Sequence, residues 1–149
     1  MATWGEFAQA SPALAARARD LLYQFGVGLA FLGTVDADGG PRVHPLCPII
    51  HDDGLYLLVV PGPKRGDLRR DGRVALHSFP CPDGEDAAYL TGRATAIDDD
   101  AELRAAIERQ FLDERAAIPI DPASLAEQGL FVVDIERCLI TTTTGHGDP

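Results

Sequence analysis

Between residues 28 and 97 the apolar residues come in short runs, none long enough for a packed helix, cut apart by Asp, Gly and Pro. Runs of four to eight apolar residues bounded by turn formers read as strands. The first covers 29–35, the next 42–50 and a third 55–60. Asp36-Ala37-Asp38-Gly39-Gly40 and His51-Asp52-Asp53-Gly54 lie between them. Both are turns, because Asp and Gly accept the dihedrals that turns require. Connections this short join antiparallel neighbours, so the sheet begins as a meander. Pro41, Pro45 and Pro48 fall in or beside the second run. Proline has no N–H for a ladder, so that strand is irregular or keeps an unpaired side.

Pro61-Gly62-Pro63 ends the third strand, and 64–70 can form a short helix. Strands follow at 74–79 and 87–97, with a loop at 80–86, and Gly92 permits a bulge or a close backbone approach. A last strand spans 130–135 and 138–143, with a break near Glu136-Arg137. Two amphipathic helices flank this pattern. Ser11 and Pro12 suit an N-cap and first position, and Leu14, Ala18, Leu21, Leu22 and Phe25 make one face that Gly26 can end. Asp99 and Glu102 have capping-box spacing ahead of Leu103, Ala106, Ile107, Gln110 and Phe111. Six strands, mostly consecutive, with a helix before them and one inserted late, predict a mainly β (α+β) fold. It is a six-stranded antiparallel barrel with flanking helices, not a doubly wound sheet.

At 149 residues the chain is the size of one domain, here taken as 1–149 with an N-terminal extension at 1–10 and a C-terminal tail at 144–149. Lys and Arg number 13 against 23 Asp and Glu, a net charge of −10 that argues against nucleic-acid binding. No apolar run approaches a membrane span, and the acidic start MATWGEFAQA lacks the basic region of a secretory signal. Three scattered cysteines, Cys47, Cys81 and Cys138, fit a reducing compartment. The expectation is a cytoplasmic protein bound to no nucleic acid and no membrane.

Within this acidic chain lies one basic island. Lys64, Arg65, Arg69, Arg70 and Arg73 are opposed only by Asp67 and Asp71, beside a Gly-containing loop. Such a segment can hold an anion: Arg offers a bidentate fork, Lys a point charge, and free loop N–H groups add donors. Its alternative is a solvated helix face of Arg–Asp pairs. No metal site is expected. His44 and Cys47 are three apart, so a regular strand aims them at opposite faces, and His44, His51, His77 and His146 show no metal-binding spacing. A nucleophile elbow and a dinucleotide fingerprint are both missing.

The runs Gly40-Pro41-Arg42-Val43-His44-Pro45, Leu55-Tyr56-Leu57 and Lys64-Arg65-Gly66-Asp67-Leu68-Arg69-Arg70-Asp71-Gly72-Arg73-Val74, with Tyr89-Leu90-Thr91-Gly92-Arg93-Ala94 further on, occur in a telling order. In that order they resemble the split-barrel flavin proteins related to pyridoxamine 5′-phosphate oxidase. Those proteins carry G-x-P, then L-Y-x, then K-x-x-N-L-x-x-N/D-P/G-x-V. The resemblance covers roughly residues 12–142. It implies a homodimer of six-stranded split barrels with a cofactor in each groove between subunits. The cofactor is FMN or the deazaflavin coenzyme F-420, with haem or another tetrapyrrole behind them. By that match Lys64 and then Arg65 hold the cofactor phosphate. Arg42 opens the second strand, Val43, His44 and Pro45 line the ring system, and Leu58 and Val59 lie beneath it.

Cys47 stands where the oxidases that act on pyridoxamine phosphate have Lys, and Gly62-Pro63 where they have a hydroxyl residue and Arg. Leu58 replaces a Thr, and the C-terminal Thr141–Pro149 stretch has no counterpart to their substrate-binding segment. The chain is therefore not expected to oxidise pyridoxamine phosphate. The leading expectation is hydride transfer between the bound cofactor and a small organic substrate, with catalytic residues unassigned. His44 and Tyr56 are the proton donors to consider. The alternative is a non-catalytic binder of haem or flavin. Apolar residues on both strand faces, Leu29, Phe31, Val35 and 57–60, predict surface left over for a second copy. On the second strand, alternation separates Arg42, His44 and Leu46 from Val43, Cys47 and Ile49. The first set is expected to face the groove and the second the core.

Overall fold

A computed structural model describes residues 1–143; the tail expected at 144–149, with His146, lies outside the described residues. Seven strands form one antiparallel sheet: β1 (Ala30–Val35), β2 (Pro41–Leu46), β3 (Pro48–His51), β4 (Gly54–Val59), β5 (Arg73–Ser78), β6 (Ala87–Ala96) and β7 (Gly129–Thr141). Their spatial order is β2-β1-β5-β6-β7-β4-β3. The helices are α1 (Trp4–Ala10), α2 (Pro12–Leu22), α3 (Pro63–Arg70), α4 (Ala101–Glu114) and the single turn α5 (Ala123–Ala126). Among the described residues no helix is long and apolar enough to cross a membrane.

The extra strand comes from the prolines. The run expected at 42–50 divides at Cys47 because Pro48 cannot continue the ladder as a donor. Its first half pairs with β1 (Ala30↔Leu46) and its second with β4 (Pro48↔Leu57). These consecutive segments therefore occupy opposite ends of the sheet. One residue of chain joins the two ends, so the sheet must curl on itself. The result is the split, half-barrel shape.

The suspected break in the last strand is a bulge. Thr91 pairs with Arg137 but Gly92 pairs with Ile135, leaving Glu136 as the extra residue. Side chains alternate with period two, so one inserted residue switches β7 from odd to even positions facing inward. Phe131, Val133 and Ile135 point into the core before it, and Cys138 and Ile140 pack on the core after it. Gly92 is required there: a Cβ would stand 2.0 Å from the Asp134 carbonyl oxygen.

Several boundaries differ from the expectation. The residues set aside as an extension form α1, closed by a Thr3–Glu6 capping box, with Trp4 buried in the core. A chain that continues straight from α1 into α2 leaves Ser11 without a side-chain capping bond. α2 ends at Leu22, so Phe25 falls beyond it and is exposed, while Ala15 joins the buried face. Asp100, not Asp99, caps α4 through Leu103 N–H.

The division of β2 differs in part from the expectation: Val43 does not face the core, and Leu46 does. Leu46 enters the core and Arg42 and His44 are half-buried on its side, while Val43 is 64% exposed. The inward place of Arg42 is fixed by a carboxylate beneath it, described below, and the alternation then turns Val43 outward. Ile49 does pack away from solvent, but in a second cluster with Leu58, Ile107, Leu125 and Leu130 under α4 and α5.

Candidate functional site

The candidate site gathers at the open side of the barrel, where β2 faces the link from β4 to α3. Gly62 precedes α3 with φ 147°, a conformation open to glycine and strained for other residues, and it offers no side-chain cap. Pro63 takes the first helical position, where a missing N–H costs nothing. The first turn carries no acidic residue. By contrast, Thr3 caps α1 and Asp100 caps α4. The positive end of α3 is thus left to whatever anion approaches it.

Charge pairing within the basic island is uneven. Arg69 forks onto Asp98 with bonds of 3.1 and 2.7 Å, and Arg73 onto Asp71 at 2.7 and 2.8 Å. These bonds lower the Asp98 carboxyl pKa and hold the Asp71 carboxyl well below the usual carboxylate range. Arg70 donates to Asp67 and to the Val35 carbonyl. Arg65 donates to the Glu127 carbonyl at 2.9 Å, at the end of α5. Three of the five cations thus follow the paired-face reading. Lys64 forms no hydrogen bond or ion pair with any described residue.

Opposite Lys64 stands His44. Burial lowers its pKa, and the positive charges of Lys64 and then Arg42 lower it further, so the imidazole is neutral at pH 7. Its Nε2 is shielded from solvent and has no partner. Beneath both, Asp67 is 4% exposed and accepts from Arg42 Nε at 2.8 Å, Arg70 Nη2 at 3.1 Å and Thr34 Oγ1 at 3.1 Å. Nothing local in the sequence marks Asp67 as a site residue. Its partners Thr34 and Arg42 lie 33 and 25 residues away in sequence, and no local pattern joins them.

Of the expected ring-lining residues, the fold brings His44 beside Lys64 and turns Val43 and Pro45 outward on β2, and Arg42, expected to open the strand, stands beside His44. Val59 is wholly buried in the main core and Leu58 is buried beneath α4, so neither side chain reaches solvent. The exposed apolar residue of that wall is Val60, at 45%. Tyr56 packs on the α4 side, where burial, then Asp52, raises its pKa.

The leftover apolar surface matches the expectation in part: Phe31 and Val60 are exposed. Leu57, Leu58 and Val59 are core, but a row crosses five strands on the outer face: Pro45, Phe31, His77, Tyr89 and Leu139 are successive register partners. Phe79 stacks on Phe31 at 4.6 Å, and Leu139 is 56% exposed.

The curled antiparallel sheet and the uncapped helix after its fourth strand describe a split-barrel protein. The chain belongs to the pyridoxamine 5′-phosphate oxidase family, whose profile matches residues 16–141. No curated protein matches it. Among solved structures it is similar to the heme storage protein HutZ from Vibrio cholerae, with a TM-score of 0.67, 16% identity, and coverage of 87% of this chain and 93% of that one. It is also similar to an F420 reductase, with a TM-score of 0.63, 19% identity and coverage of 80% and 94%. A third is HupZ from Group A Streptococcus, with a TM-score of 0.58, 18% identity and coverage of 76% and 89%. A reductase and a heme storage protein thus share this fold.

Proposed function

We propose that this chain is a flavin- or deazaflavin-dependent oxidoreductase that acts as a homodimer on a small organic substrate. The carrying observation is the uncapped α3 N-terminus with Lys64 unpaired beside it. Lys64 Nζ and the free N–H groups of the first helical turn fit a cofactor phosphate, and Arg65 can add a second cation if it leaves the Glu127 carbonyl. His44 Nε2, buried and unpartnered, fits a polar atom of the ring system. When bound, the cofactor supplies the hydride chemistry, and the chain supplies position and electrostatics. Arg42 and His44, beside Lys64, would orient the bound ring system. A neutral His44 can hold a proton at one ring nitrogen and accept at the other. The outward row through Phe31 and Tyr89 is the face for the second copy, which closes each groove. The similarity to an F420 reductase and the family match support this reading.

The test is titration of the purified protein with FMN and with coenzyme F-420, followed by fluorescence. Lys64→Ala should weaken cofactor binding about 10- to 150-fold, the worth of one charge-assisted hydrogen bond. It should leave the stability of the ligand-free chain within about 0.5 kcal/mol. Equal affinity in parent and variant would place the phosphate elsewhere. A second reading, a non-catalytic tetrapyrrole binder, is favoured by the free Nε2 of a neutral His44. It predicts a Soret band that His44→Ala removes, with no hydride transfer.

A further inference from the structure

We propose that the second copy docks in one defined register: a two-fold axis runs across β1, β5 and β6 between two rows of outward side chains, and Phe31 of each subunit seats over Gly33 of the partner subunit. This deepens the homodimer proposed above and rests on it.

The outer face carries two adjacent rows of opposite relief. One is the row already described, from Pro45 through Phe31, His77 and Tyr89 to Leu139. The other lies two residues along each strand, where Val43, Gly33, Ala75, Thr91 and Arg137 are successive register partners. In the middle of the sheet the first row is large and the second small. Phe31 stands beside Gly33 on β1, His77 beside Ala75 on β5, and Tyr89 beside Thr91 on β6. Phe31, His77 and Tyr89 are exposed. Gly33 and Ala75 line a hollow of about 290 Å³, with Val35, Pro41 and Arg73 around it.

The fold itself does not ask for glycine at position 33. Its φ is not in the left-handed region, and the nearest atom that a Cβ there would meet is the Ala75 Cβ, at an ordinary 3.5 Å. Gly92, by contrast, is fixed by the Asp134 carbonyl. Glycine inside a strand weakens it, and one that the fold does not need marks a close approach from outside.

An interface built on a two-fold axis must be complementary to itself: where one residue meets a second, the second meets the first. An axis parallel to the two rows and midway between them satisfies this, because it lays each row over the other row of the second copy. Phe31 then fills the hollow at Gly33 of the partner subunit, His77 faces Ala75 of the partner subunit, and Tyr89 faces Thr91 of the partner subunit. Each of these contacts joins a large side chain to a small one, which is how two packed sheets interdigitate. Charge favours the same occupant. Of the chain's 23 acidic residues none falls in either row, so two copies of net charge −10 can meet here without opposing carboxylates.

The experiment measures dimer dissociation by light scattering over a dilution series, with circular dichroism to confirm the fold. Gly33→Leu should raise the dissociation constant about 100-fold, because the two-fold axis places the overpacked contact twice. Gly33→Ala adds one methyl group and should raise it about threefold. Phe31→Ala combined with Gly33→Leu moves the bulk from one row to the other, and should return the constant to within about tenfold of the parent. A folded Gly33→Leu dimer as tight as the parent overturns the register. So does a double variant no tighter than Gly33→Leu alone. If Gly33→Leu does not fold, an unchanged constant in Gly33→Ala overturns it. A tight Gly33→Leu dimer that no longer binds FMN or coenzyme F-420 gives the hollow to the cofactor, and overturns docking there. A parent of one-chain mass overturns the homodimer itself, whereas a dimer indifferent to position 33 overturns only this register.

Discussion

The outer face of the sheet has two halves that the chain treats differently. Over β3, β4 and the start of β7, helices α4 and α5 bury Ile49, Leu58 and Leu130 against Ile107 and Leu125. On the outer face of β2, β1, β5, β6 and the end of β7, Phe31, Val43, Tyr89 and Leu139 are exposed among the described residues. Both halves are built from strands with apolar residues on two faces. Two-faced apolar strands call for a cover on each side. One half finds it within the chain, and the proposed second copy supplies the other.

Truncation on the covered side should have the largest effect. Ile107 is fully buried at the centre of the satellite cluster. Ile107→Ala should cost about 2–5 kcal/mol, read as a lower midpoint in chemical denaturation at any protein concentration. A loss below 0.5 kcal/mol would show that α4 is not a structural cover.

On the bare half the expected effect is smaller and depends on concentration. Leu139→Asp places a charge in the proposed interface and should raise the dimer dissociation constant by about 100-fold, near 3 kcal/mol. Light scattering at micromolar concentration should then give the one-chain mass for the variant and twice that for the parent. A parent of one-chain mass breaks the comparison, because the bare half would have no cover at all.

The smallest effect is on acid stability. In the folded chain Asp98 is held low by Arg69, and Asp86 by the Thr143 N–H, then by Arg17. Asp67 is held low by Arg42 and its neighbours against the pull of burial. A depressed carboxyl stabilises the fold above its unfolded pKa of about 4, and that stability drains away as pH falls through the lower folded value. Thermal midpoints should therefore be flat with respect to these groups from about pH 5 to 8 and decline below about 4. Asp98→Asn and Asp86→Asn should each flatten that decline slightly. An unchanged acid limb would mean that these exposed pairs contribute nothing to stability.

Local chemistry made much of the fold legible. The turns at 36–40 and 51–54, the short helix after Pro61-Gly62-Pro63 and the bulge at Gly92 follow from residues whose conformational limits act within a few positions. The division at Cys47 was half visible: three prolines marked an irregular strand, but not that its halves serve opposite ends of one sheet. At the site, Lys64 stood out within a basic island, yet the same reading could not separate it from four arginines. Their partners are Asp98, Asp71, Asp67 and the Glu127 carbonyl. Two of those, Asp98 and Glu127, lie 29 and 62 residues away.

From the residues alone came an antiparallel meander, its turns, its two amphipathic helices and one basic segment in an acidic chain. Each depends on period, dihedral limits or charge, which act over a few residues. Curling decided the rest. It chose which face of β2 looks inward, which half of the sheet is covered, and which cation stays unpaired. Those outcomes depend on what lies opposite, and a contact between Arg42 and Asp67, or between Leu130 and Ile107, exists only once the strands and helices have packed.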